Sequence, residues 1–190
     1  DVIYIGATTS RDVPKIMAIA SQGSSLYIYE ISPEMIQGKK GTICSGYWEL
    51  TPETGLVEGK LPVATSAYFD RMFYYAVGNK IYRADLTRST PRSYEIYAHP
   101  DPSVRITRLK FRSQREDRWD ISGGDEVEAI PYDFVSYLGG VAEYPDGNCS
   151  MLEMKLTAAG EIDKEEGTKD LMVYEFKGFK NVVDFVYAFK

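Results

Sequence analysis

Reactive side chains are scarce in this sequence. A single histidine, His99, and two cysteines, Cys44 and Cys149, stand in 190 residues. The cysteines form neither a CxxC pair nor a zinc-ligand spacing and read as small buried thiols, with their pairing left open. His99 lies in "AHPDPS", next to Pro100 and Pro102, and reads as a turn residue, because no nucleophile pattern accompanies it. No GxSxG, HExxH, P-loop or dinucleotide glycine pattern occurs. No metal or other cofactor is expected.

Positive charge is also in deficit. Lys and Arg number 22 against 28 Asp and Glu, a net charge of −6. Nothing in that balance steers the chain towards a phosphate backbone, so a nucleic-acid partner is not expected. No apolar run approaches the ~20 residues of a spanning helix. Asp1 opens directly on Val2-Ile-Tyr-Ile5, which reads as strand without a leader peptide, so the chain is expected to be cut from a longer one. Amphipathic helical spacing is missing too. Pro33 to Gly38, after Ser32, reads at most as one helical turn.

What is present in quantity is aromatic: 15 Tyr, 8 Phe and 2 Trp, 13% of the chain. Tyr suits a half-buried pleated surface, with one end apolar and the other wet. Short Val, Ile, Tyr and Phe runs alternate with turn residues throughout, which argues for an all-β fold.

Three of these runs form hairpins around glycine. Lys15–Gln22 and Ser25–Ile31 flank Gly23-Ser24; Met72–Val77 and Lys80–Leu86 flank Gly78-Asn79; Leu138–Tyr144 and Cys149–Leu156 flank Pro145-Asp-Gly-Asn148. After each comes an outer strand, Thr42–Leu50, Ser93–Tyr97 and Asp170–Phe176, and then a further strand, Leu61–Phe69, Val104–Phe111 and Asn181–Phe189. The order of inner strand, hairpin and outer strand is that of a β-propeller blade. The expected fold is a partial β-propeller: blades over about 1–60, 61–103 and 104–180, with 181–190 a final inner strand. Three blades leave a ring open, so a fragment of a larger propeller is expected. The alternative is that 181–189 completes the first blade.

The spacing lengthens at Arg112–Pro131, "RSQREDRWDISGGDEVEAIP". Long loops on rigid sheets tend to carry function. Arg112, Arg115, Arg118, Trp119 and Asp120 are the candidate ligand-binding residues, since arginine beside an exposed Trp can clamp a carboxylate or stack on a sugar. Asp117, Asp120, Asp125, Glu126 and Glu128 offer carboxylates without a geometry to choose among them. Asp146-Gly147-Asn148 reads as a turn rather than a calcium loop, and Glu161–Glu166 as a solvated connection.

"FYYAVGNKIYRADL", "EYPDGNCSMLEMKL" and "GFKNVVDFVYAFK" resemble the C-terminal β-propeller region of secreted or surface lipoproteins of Bacteroides-type bacteria, some with PKD-like modules. The resemblance implies an extracytoplasmic parent at the cell surface or in the periplasm, anchored by lipid. It also implies a glycan or protein partner. The functional expectation is a non-catalytic module binding a glycan or protein at a propeller rim. Its rival is a carbohydrate-active hydrolase or lyase with carboxylates at the channel mouth.

Overall fold

The computed structural model describes residues 2–9, 14–22, 25–31, 44–50, 63–67, 72–86, 91–116 and 133–187. Among these the fold is all-β, with twelve strands and no helix, hence no helix able to cross a membrane. The first sheet holds β1 (Val2–Thr9), β2 (Pro14–Gln22), β3 (Ser25–Ile31) and β4 (Cys44–Leu50). The second holds β5 (Val63–Ala67), β6 (Met72–Val77), β7 (Lys80–Asp85) and β8 (Ser93–Ala98). The third holds β9 (Arg105–Glu116), β10 (Asp133–Glu143), β11 (Asn148–Leu156) and β12 (Val173–Lys180). Each sheet is an antiparallel meander in chain order, and the three remain separate sheets.

The turns follow from residue type. Gly78 takes φ +61°, and Asn79 does not share its positive sign, the pattern of a II′ turn that matches the twist of β6 and β7. Between β10 and β11, Gly147 takes φ +82° while the Asp146 carboxylate accepts from the Asn148 amide at 3.0 Å. That carboxylate is spent on closing its own turn.

β6 explains how the sheets stack. Phe73, Tyr74, Tyr75 and Ala76 are all buried, so both faces of the strand are covered. Phe73 and Tyr75 pack with Ile19, Ile28 and Leu50 of the first sheet. Tyr74 and Ala76 pack with Val104, Ile106, Leu109 and Leu138 on the third-sheet side. The period of two sends alternate side chains of one strand into two different cores. β5 lies against both β1 and β9, so the first strands of the three sheets are neighbours. Of β8 and β12, last in their sheets, half the residues of the first and all but one of the second are exposed.

Several expected boundaries move. Arg112 to Glu116 belong to β9 rather than to a loop, because they pair with Asp133–Tyr137 and lengthen the hairpin. The outer strand expected at Asp170–Phe176 lies at Val173–Lys180. Residues 157–172 instead fold on themselves through the bridges Leu156 to Ile162 and Lys164 to Leu171. Residues 181–187, expected as part of a final inner strand over 181–190, carry no strand pairing among the described residues; they lie on the third sheet. The helical turn at 33–38 and the Gly23-Ser24 turn lie outside the described residues.

Candidate functional site

Among the described residues, a cleft of about 520 Å³ lies between the second sheet and the 157–172 connection. β7 supplies Arg83 and Asp85. β8 and the residue preceding it supply Arg92, Tyr94, Glu95 and Ile96, and the connection supplies Glu161, Ile162, Lys164 and Leu171.

Each wall has a local cause. Arg83 stands directly across the ladder from Tyr94, which places its guanidinium 5.7 Å from the centre of that ring. Tyr94 is exposed because β8 is an outermost strand and this side chain points away from the core. The connection is held over the sheet from below. Ile162 is buried in the core, the Tyr74 hydroxyl donates to Gly160 O at 2.8 Å, and Arg83 donates to Ala159 O. Arg83 also lies 3.7 Å from Glu161, and Lys155 lies 3.3 Å from Asp163. Glu161, Lys164, Glu165 and Glu166 are exposed, as expected of a solvated connection, and the buried Ile162 makes that connection an ordered wall as well.

The cleft is mixed in charge, with three cations, three carboxylates, one aromatic face and the aliphatic edges of Ile96 and Leu171. Such a lining orients a polar ligand and stacks one ring or sugar face on Tyr94. Lys80 holds Glu95 at 2.6 Å and is itself pushed up in pKa by that hydrogen bond.

His99 sits elsewhere, at the seam between the second and third sheets. It is buried edge-on to Tyr97 at 6.4 Å and Tyr144 at 5.9 Å, with Nε2 3.7 Å from Glu175. Its main chain exchanges hydrogen bonds with Asn79, and its Nδ1 accepts from the Asp101 amide. This is the geometry of a packed turn residue. Burial works against charge on Glu175. The Ser150 and Tyr144 hydroxyls and the charges of Lys177 and His99 outweigh it and leave the carboxyl below its ordinary value.

Of the candidate ligand-binding residues, Arg112 is the one whose side chain the structure describes. Its guanidinium lies between the rings of Tyr137, at 4.4 Å, and Tyr187, at 4.7 Å, with Glu153 at 3.6 Å. Arg115 is placed in β9 opposite Phe134. Arg118, Trp119 and Asp120 lie outside the described residues, as do Asp117, Asp125, Glu126 and Glu128. Arg112 and the cleft residues therefore stand on different parts of the fold. The cleft residues went unmarked because Tyr94 reads as one more strand aromatic; the signal available was its place in a last strand opposite an arginine.

Among the described residues no group of three or more His, Cys, Asp or Glu side chains converges as a metal site. Cys149 is a free buried thiol. No protein-family model, curated protein or solved structure matches the chain.

Proposed function

We propose that the chain is a three-blade segment of a β-propeller and works as a non-catalytic binding module for a glycan or protein partner. Support for the propeller reading is the sequence of four-stranded meanders stacked face to face with their first strands adjacent. The observation that carries the binding reading is the cleft, whose lining joins the exposed Tyr94 with Arg83 and Arg92 at an outermost strand. A stacking ring flanked by guanidinium groups suits a sugar or a peptide carrying carboxylates. The resemblance to surface lipoproteins adds an extracytoplasmic setting.

Catalysis has less behind it. A glycoside hydrolase or lyase working through a general acid raises that carboxyl's pKa. Among the described residues, the carboxyls that shift, Asp101, Glu175 and Asp184, shift down; at Glu175 burial opposes this and hydrogen bonds from Ser150 and Tyr144 outweigh it, while hydrogen bonds from Ser103 and Lys110 lead at Asp101 and Asp184.

The test is a glycan array followed by calorimetry on the wild type, Tyr94→Ala and Arg92→Ala, with Trp119→Ala and Arg118→Ala as the second rim. Loss of at least tenfold in affinity on Tyr94→Ala supports the cleft. Loss only in the Trp119 or Arg118 variant moves the site to the segment between β9 and β10 in the chain. Polysaccharide turnover abolished by substituting one of Asp85, Glu95 or Glu161 replaces the module with an enzyme.

A further inference from the structure

Three cations occupy alternate positions of β9: Arg108, Lys110 and Arg112. Leu109, between them, packs towards the second sheet, so the cations stand on the opposite face of the third sheet. Each meets the segment 183–187. Arg108 Nε donates to Val183 O at 2.7 Å. Lys110 Nζ lies 2.8 Å from Asp184 and 5.4 Å from the Phe185 ring centre, and Arg112 stacks on Tyr187. The five residues 183–187 run alongside the five residues 108–112 of β9, so the segment is extended and runs in the same direction.

Gly139 of β10, paired with Lys110, forms the floor. A Cβ there would overlap the Tyr187 hydroxyl and stand 2.9 Å from the Phe185 ring. Tyr137 and Glu153 close the far end around Arg112. The face therefore selects by charge at one position and by flat, close-fitting rings at the next and third-next. The segment contributes no strand ladder, so its hold is made by side chains and one carbonyl. Within it, Val183 and Val186 are 76% and 79% exposed, and Tyr174, Phe176 and Phe179 of β12 are also exposed. Tyr174 and Phe176 stand on this face, across the ladder from Glu153 and Met151.

We propose that this face is a recognition groove for an extended acidic-aromatic strand of the pattern Asp-Phe-x-Tyr. The chain's own residues 184–187 fill it in this structure, and a partner strand of the same pattern can take their place. The complementarity of Asp184 to the row of cations, and of Phe185 and Tyr187 to the Gly139 floor, defines that partner's chemistry. The groove shares no residue with the Tyr94 cleft.

The probe is a fluorescein-labelled peptide with the sequence of residues 181–190, followed by anisotropy. The full chain carrying Phe185→Ser and Tyr187→Ser has a vacated groove. It is expected to bind the peptide at least tenfold more tightly than the wild type, whose tethered segment competes at an effective concentration in the millimolar range. Adding Gly139→Val abolishes this binding, and a peptide with Asp184→Lys binds about tenfold more weakly. Equal binding of the two peptides, or none by a vacated variant with native circular dichroism, overturns the proposal. If that variant does not fold, hydrogen exchange on the wild type decides. Excess peptide is expected to speed exchange at 182–187 and leave 138–141 unchanged, and unaltered exchange at 182–187 overturns the proposal.

Discussion

The Tyr74 hydroxyl, buried on β6, donates to the Gly160 carbonyl 2.8 Å away on the connection between β11 and β12. One hydrogen bond thus ties the middle sheet to the wall of the cleft, while the same ring stacks on Phe111 at 6.4 Å. Gly160 takes φ +75°, and a Cβ there would stand 2.6 Å from the Tyr74 oxygen.

Tyr74→Phe keeps the stacking and leaves a carbonyl without its donor, so a loss of about 1 kcal/mol is expected. Gly160→Ala adds a positive-φ penalty and an overlap, for about 1–3 kcal/mol. Urea unfolding at unchanged m-value measures both. Equal stability of Gly160→Ala and the wild type contradicts the placement of the connection.

Phe73 and Leu138 lie in the two different cores that flank β6. Phe73→Ala is expected to cost about 3–5 kcal/mol and Leu138→Ala about 2–5 kcal/mol. Because they share no core, the double variant is expected to be additive to within about 0.5 kcal/mol, by the same unfolding measurement. Strong coupling would mean that the two side chains occupy one core.

Burial raises the Tyr75 pKa from 10.0 to about 12, and burial with the nearby Glu175 and Tyr144 raises Tyr97 to about 12. The folded chain therefore holds protons that the unfolded chain releases near pH 10. The stability linked to them is complete below pH 10 and falls as pH rises from 10 to 12. Tyrosinate absorbance is expected to rise for these residues only together with loss of the circular dichroism of the sheets. Their ionisation in a chain that keeps that signal contradicts their burial.

Acid acts through Glu175 with the opposite sign. Its folded pKa lies below the ordinary 4.5, so its contribution is present above that value and fades as pH falls through the folded pKa. Glu175→Gln is expected to be less stable than the wild type at neutral pH. The gap is expected to narrow below pH 4.5, in denaturant unfolding at a series of pH values. A gap independent of pH contradicts a charge role for this carboxylate.

Much of the architecture was legible because glycine and alternation are local signals. Tyr74–Leu86 declares a hairpin by Gly78 alone, and the consecutive buried run Phe73–Ala76 is what a strand covered on both faces requires. What escaped depends on tertiary partners. Arg112 looks like a loop cation until Asp133–Tyr137 pair with its strand. Asn181–Tyr187 has the alternation of a strand but no strand pairing among the described residues, and it docks by side chains. The cleft escaped because Glu161 and Lys164, in an acidic stretch, become a wall only when Ile162 anchors them. The seam role of His99 needed Tyr144 and Glu175, both distant in sequence.

The central claim is that the second sheet is enclosed by the other two, and hydrogen exchange of the full chain tests it most directly. The account predicts slowest exchange in β6 and β7, with β8 and β12 exchanging earliest among the strands. Exchange of β6 as fast as that of β8 would contradict it.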